Sequence, residues 1–323
     1  MAHAIRVHEA GGPEVLRWEE VEVGDPGPGQ VRIRQRSAGL NYIDVYHRTG
    51  LYPQALPFTP GVEGAGEVEA IGPDVPGLQP GDRVAYAGPI GGYAEVRVIA
   101  ADRLVKLPDG ISTELASAMM LQGLTAHMLL RSVYPVKPGD SILIHAAAGG
   151  VGLIVCQWAN ALGATVIGTV GSDDKAEIAR AHGCHHPIVY TRHDFVPEID
   201  RITGGTKLPA VYDSVGRDTF MKSLDCLHPR GVMVSFGNAS GPPDPIAPGL
   251  LAQKGSLFLT RPTMYHYMAK REELDRAAAE LFETVLSGKV KIAIGQRFPL
   301  SEAAEAHRAL EGRKTTGSTV LTI

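Results

Sequence analysis

Asp140–Gly163, DSILIHAAAGGVGLIVCQWANALG, decides how the rest of the chain is read. A short apolar run, Ile142–Ile144, leads into a turn of alanines and glycines, and the turn leads into a helical pattern. Val151, Ile154, Val155, Trp158 and Leu162 follow the i, i+3, i+4, i+7 spacing, which predicts an amphipathic helix with one face sealed on a sheet. Gly163 stands where a helix stop is expected. Strand, glycine turn and helix in this order predict the geometry that receives a dinucleotide. On the G-x-G-x-x-G pattern the matched positions are Ala147, Gly149 and Gly152, so alanine replaces the first glycine. Gly149 lets backbone approach a pyrophosphate, Gly152 lets helix and strand pack closely, and the helix start beyond Gly150 presents free N–H groups. The glycines alone describe equally well a turn that merely joins strand to helix. The strand before and the helix after favour the binding site.

Working outward, the preceding ~120 residues read as short strands broken by turns. VRIRQRSAG (Val31–Gly39), AGEVEAIG (Ala65–Gly72), DRVAYAG (Asp82–Gly88) and YAEVRVIA (Tyr93–Ala100) carry strand patterns, with PGPGQ and PGLQPGD between them. Their spacing predicts a compact barrel. Beyond Thr125 strand and helix alternate: ATVIGTVG, a helix capped by Ser172 and stopped at Gly183, HPIVY, a helix over Asp194–Gly205, then PAVYDSVG, VMVSFGN and SLFLT. Six strands with helical crossovers predict the doubly wound parallel order 3-2-1-4-5-6. The domains are read as 1–124, 125–263 and a tail, 264–323, that returns to the first domain.

The end of the second strand bears on the cofactor. A site for an unphosphorylated ribose has Asp or Glu about 20 residues past the fingerprint. Here the strand closes on Thr169, Val170, Gly171 and Ser172. Ser172 and Lys175, at a helix start, suit a 2′-phosphate instead, which points to NADPH. Asp173 and Asp174 would reverse that preference if either turned inward.

Composition narrows the field. The 323 residues are 44% hydrophobic and 20% charged, with 31 Lys and Arg against 35 Asp and Glu, a net charge of −4. That balance gives no bulk attraction to nucleic acid or an anionic membrane. No apolar run nears the ~20 residues of a membrane-spanning helix. The N-terminal MAHAIRVHEAGG has no signal-peptide core, so a cytoplasmic location is expected. Cys156, Cys184 and Cys226 stand singly, in no metal-ligand or disulfide spacing.

MAHAIRVHEAGGPEVL, SAGLNYIDVYHRTGLYP, PGDRVAY, HAAAGGVGLIVCQWA, VYDSVGRDT, MVSFGN and KGSLFLTRP together resemble bacterial NADPH-dependent quinone oxidoreductases of the zeta-crystallin type. These form a zinc-free branch of the medium-chain dehydrogenase/reductase superfamily. The resemblance covers the whole chain, and GLNYID…GLYP is its most specific stretch. It implies an α/β fold, a GroES-like β-barrel catalytic domain split around a Rossmann domain, with the active site in the cleft. It implies no metal: Asn41 stands where zinc relatives place a cysteine, and Gly61-Val62-Glu63 where they show Gly-His-Glu.

For the catalytic site the resemblance implies Asn41 and Tyr46 beside the nicotinamide and Tyr52 at a quinone pocket, with Thr125 and Arg261 as weaker pocket candidates. Alternatively Asn41 is a left-handed turn residue, and the tyrosines cap a barrel edge. For the cofactor it implies Gly149, Gly150, Val151 and Gly152 at the pyrophosphate. Ser172, Lys175, Tyr190 and Arg313 (or Lys314) surround the 2′-phosphate, and Ser214, Phe236 and Gly237 lie on the nicotinamide side. It further implies a homodimer through the sheet edge at Ser256–Thr260. Reduction of an activated C=C bond, and an NADPH-binding structural or RNA-binding role, are the alternatives to quinone reduction.

Overall fold

The computed structural model describes all residues, Met1–Ile323. They divide into two compact units: Met1–Leu124 with Lys270–Leu286 and Ile292–Ile323, and Thr125–Ala269 with Ser287–Lys291. The sequence reading put the return of the chain at residue 264. The second unit instead runs on to Ala269 and keeps Ser287–Lys291.

The second unit is built on β1 (Ser141–Ile144), β2 (Thr165–Val170), β3 (His186–Val189), β4 (Leu208–Asp213), β5 (Leu227–Ser235) and β6 (Phe258–Thr260), in the order 3-2-1-4-5-6. Every neighbouring pair is parallel. Ile142–Ile144, Val166–Val170 and Ala210–Asp213 are buried throughout, as strands covered on both faces must be. The first helix, α1 (Gly150–Ala161), departs from the expected single sealed face. Val151 and Leu162 are only half-buried, while Leu153, Cys156 and Ala159 join Ile154, Val155 and Trp158 in full burial. The helix is packed on more than the sheet, so a single stripe underestimates its apolar surface. Ser172 caps α2 (Asp173–Ala181), its Oγ accepting the Lys175 N–H at 3.4 Å. Asp194 caps α3 (Phe195–Thr203), whose Pro197 falls in the first turn, where a missing N–H is tolerated.

The two edges of this sheet differ. β3 carries Pro187, which removes a donor from a four-residue strand, and a recess of about 370 Å³ beside it is lined by Arg180, Arg192, Arg201, His185 and His186. β6 exposes apolar side chains, Phe258 at 62% and Leu259 at 38%.

The first unit centres on the long strand Gln30–Leu40. Glu63–Ile71 pairs with it along one edge; Val96–Ala100 takes Gln30–Arg34 on the other, and Ser318–Thr322 takes Ser37–Leu40. All three pairings are antiparallel. Val31, Ile33, Val68, Val84 and Ile99 fill the core inside this sheet. The buried-exposed alternation of the long strand holds to Arg36 and then stops, because Ser37–Leu40 is buried on both faces. Gly39 lies in that buried stretch: a Cβ there would sit 2.2 Å from both Glu63 Oε2 and the Ser117 carbonyl. Only glycine admits the Glu63 carboxylate at this place.

Candidate active site

In the second unit the candidate cofactor residues gather at one end of the parallel sheet. The turn after β1 holds Ala147, Gly149 and Gly150; Ser172 and Lys175 follow β2, and Tyr190 follows β3. Ser214 follows β4, Phe236 and Gly237 follow β5, and Arg261 follows β6. All of them leave the carboxyl ends of their strands, where open parallel sheets bind ligands.

The turn is held by tight packing. Gly149 is the N-cap of α1, and a Cβ on it would meet only the Ala146 carbonyl, at 3.2 Å. A Cβ on Gly152 would lie 2.3 Å from that carbonyl and 2.8 Å from Ala147 backbone atoms. The left-handed backbone required by the tight turn falls on Ala146, φ 55°, so Ala147 needs no glycine's freedom. The first N–H groups of α1 have no intrahelical acceptor, and the open space above Gly149 leaves them facing outward. This cradle fits a dinucleotide pyrophosphate.

The loops after β4 and β5 are laced together. Ala239 N–H donates to the Ser214 carbonyl at 3.1 Å and Ser240 N–H to Val215 at 2.8 Å. A Cβ on Gly237 would strike the Ser214 carbonyl at 2.4 Å. Arg261 Nη1 donates to the Gly237 carbonyl at 3.0 Å, tying the end of β6 to the same loops. Beneath them Asp213, fully buried, accepts the Val215 and Gly216 N–H groups at 2.8 and 3.0 Å. His145 bridges Thr169 and Ser223 at 2.8 Å on either ring nitrogen, and burial lowers its pKa, so it stays neutral there.

The acids beside Ser172 do not turn inward as a pair. Both oxygens of Asp173 bond to Arg192, with both side chains more than half exposed, and Asp174 is exposed. The Tyr190 hydroxyl lies over Gly171, where a Cβ would meet it at 3.2 Å.

In the first unit Asn41 begins the helix Tyr42–Arg48 with φ −132°, an extended N-cap and not the left-handed turn residue of the alternative reading. Its backbone N–H donates to Asp44 Oδ2 at 2.9 Å. Its side-chain Nδ2 donates to Glu63 Oε2 at 2.7 Å, and its Oδ1 accepts from Gln122 Nε2 at 3.2 Å. Tyr46 and Tyr52 meet edge to face at 5.1 Å, with Tyr42 and His47 on either side. Tyr42, Tyr46 and His47 of this wall come from the helix that Asn41 starts, and Tyr52 from the loop after it. Arg313, left-handed at φ 57°, belongs to this unit and bears electrostatically on Tyr42. Thr125 lies half-buried three residues beyond Gln122 in the helix Met120–His127.

Sequence reasoning missed the groups behind Asn41. Arg48 offers only donors, so His307 Nδ1 accepts from it at 3.1 Å. His307 Nε2 then donates to Tyr93 Oη at 3.3 Å, and Tyr93 donates to Asp44 at 2.9 Å. Burial, then the Arg48 charge, pushes His307 down to about 3. Burial pushes Asp44 up to about 7 and Glu63 up to about 8. Gly61-Val62-Glu63 was read only as a failed zinc pattern; a lone acid between apolar and glycine residues in a strand was the available signal.

These shifts have a stability consequence. Asp44 and Glu63 titrate near 4 when unfolded, so the stabilisation they carry in acid is lost as pH rises through their folded values. His307 acts oppositely, but only below about pH 6.5, its unfolded value. Between pH 6.5 and 8 the two acids alone act, and the melting temperature followed by circular dichroism is expected to fall by several degrees. Asp44→Asn flattens the fall. A melting temperature constant across that range rules the assignment out.

Two family models match the chain, the alcohol dehydrogenase GroES-like domain over residues 27–109 and the zinc-binding dehydrogenase over residues 150–283. No group of three or more His, Cys, Asp or Glu side chains is placed to hold a metal ion. A quinone oxidoreductase of Pseudomonas aeruginosa is 53% identical over 323 residues, covering 99% of both chains. The chain belongs to the quinone oxidoreductase family. The crystal structure of Escherichia coli quinone oxidoreductase complexed with NADPH superposes with a TM-score of 0.98 at 48% identity, covering 100% of both chains. A 2-haloacrylate reductase of a Burkholderia species is 47% identical over 329 residues, with 99% of both chains covered.

Proposed function

We propose that the protein is an NADPH-dependent quinone oxidoreductase. The observation that carries this is the carboxyl edge of β1–β6: a phosphate cradle at Gly149–Gly152 beside a second strand that ends without an acid. Backbone N–H groups from Gly150, Val151 and Gly152 hold the pyrophosphate, and Ser172, Lys175 and Tyr190, with Arg313, surround the 2′-phosphate. Ser214, Phe236 and Gly237 border the nicotinamide. NADPH supplies a hydride, and the quinone, taking it with one proton from water, leaves as hydroquinone. The hydroquinone anion is delocalised over its ring, so the reaction asks for placement of a flat acceptor more than for a strong acid. Asn41 orients, while Tyr46 and Tyr52 wall the acceptor and donate to its oxygen, with Thr125 and Arg261 at the margin.

A second reading, reduction of an activated C=C bond, is favoured by the 2-haloacrylate reductase at 47% identity. Steady-state turnover of 1,4-benzoquinone, a 2-alkenal and 2-chloroacrylate with NADPH and NADH separates the two. The quinone with NADPH is expected to give the highest kcat/KM; a higher value with either alkene overturns the assignment.

The protein works in the cytosol, where its three buried, unpaired cysteines stay reduced. It forms a homodimer by joining β6 edges, burying Phe258 and Leu259. Leu259→Lys is expected to convert a sedimenting dimer to a monomer; an unchanged sedimentation coefficient removes this interface.

A further inference from the structure

The Asn41 amide is one link in a buried chain of four side chains. Beyond Asn41, Gln122 Oε1 lies 2.6 Å from Ser318 Oγ, which is also 2.7 Å from the Ala118 carbonyl. Both neighbours of Ser318 are acceptors, and its hydroxyl has one proton. One acceptor is therefore left short. Exposure is 7% at Asn41, 0% at Glu63, 6% at Gln122 and 2% at Ser318, so the shortfall weighs on the fold.

The same atoms have a second arrangement in which each link of this chain is satisfied; it gives up the capping contact of the Asn41 side chain with the Asp44 N–H, which keeps the Asn41 carbonyl as acceptor at 3.0 Å. With a proton on Glu63, the carboxyl donates to Asn41 Oδ1. The reversed Asn41 amide donates to Gln122 Oε1, the reversed Gln122 amide donates to Ser318 Oγ, and Ser318 gives its proton to Ala118. The Leu121 N–H, 2.8 Å from Glu63 Oε1, is accepted in both arrangements. Two terminal amide rotations and one proton separate them.

We infer that Glu63 is a positioning residue: its protonation reverses the Asn41 and Gln122 amides together. It thereby exchanges the donor and acceptor edges that Asn41 has left to offer. The inference rests on the reading of Asn41 as a residue that orients cofactor or substrate. Burial, with Asp44 nearby, holds the Glu63 carboxyl near the pH where such a change is usable. The groups around it are few. Tyr86 from strand Arg83–Ala87 and Tyr93 feel its charge and stay protonated, Arg97 lies over the Tyr86 ring, and Gly39 and Ser117 present backbone.

The test reads the Asn41 side-chain NH₂ signals by ¹⁵N NMR in the free enzyme from pH 6 to 9.5, assigned with Asn41→Ser. They are expected to shift with a single midpoint in the wild type and in Asp44→Asn, and to stay fixed in Glu63→Gln. Glu63→Gln presents an amide donor where the protonated acid would present its O–H, and so locks the reversed arrangement. Its kcat for 1,4-benzoquinone is expected to fall about tenfold, its KM for NADPH to stay within twofold, and the matching inflection in the pH profile of kcat to vanish. Signals that do not move in the wild type, or a shift lost in Asp44→Asn but kept in Glu63→Gln, overturn the inference. So does wild-type kcat in Glu63→Gln at every pH. The wild-type titration needs no variant to fold. Failure of the wild type to turn over any quinone strikes the functional reading alone, since the NMR titration stands apart from activity.

Discussion

Gly152→Ala is expected to weaken binding of NADPH and NADH alike by about 100-fold, read from quenching of protein fluorescence or enhancement of nicotinamide fluorescence. The added methyl would stand 2.3 Å from the Ala146 carbonyl and 2.8 Å from Ala147 backbone atoms. No flexible side chain is available to give way, so either α1 lifts off the sheet or the turn shifts. Overpacking of this kind costs about 1–3 kcal/mol in stability. The larger loss falls on binding, because the same shift moves the N–H groups that meet the pyrophosphate. The pyrophosphate is common to both cofactors, hence the equal effect. A variant that melts several degrees lower but binds both cofactors normally would separate packing from binding and refute the cradle.

Lys175→Ala is expected to act on one cofactor only, raising the KM for NADPH about 30-fold with little change for NADH. A hydrogen bond to a charged group contributes about 1.5–3 kcal/mol, which sets that range. Two features favour Lys175 over a merely exposed helix charge. It is half-buried in the first turn of α2, and Asp173 of the same turn is bonded to Arg192. Equal effects on both cofactors would show that Lys175 does not read the phosphate.

What could be read from the sequence was whatever lies close along the chain. The strand, turn and helix of Asp140–Gly163 are local, as are the Ser172 cap, the tolerated Pro197 and the alternation of Val31–Arg36. The parallel order of β1–β6 follows from connection rules acting on those local patterns. What stayed hidden depends on partners far apart. Asn41 meets Glu63 across 22 positions, and Ser318 meets Gln122 across 196. The direction of Asp173 was ambiguous until Arg192, 19 residues on, came beside it. The burial of Leu153, Cys156 and Ala159 on α1 was likewise invisible, since a one-sided apolar stripe says nothing of what packs on the other side.

The unlike ends of the β1–β6 sheet set a limit on growth. At β3 the proline and the crowd of charges around it make a poor template for another strand. Of the two edges of this sheet only β6 is apolar and exposed, and a pairing of two copies through it would use the same surface on each and leave neither β6 edge open. Association of this kind closes at two. A six-stranded parallel sheet joined in this way could pair once and could not extend edge to edge into a filament.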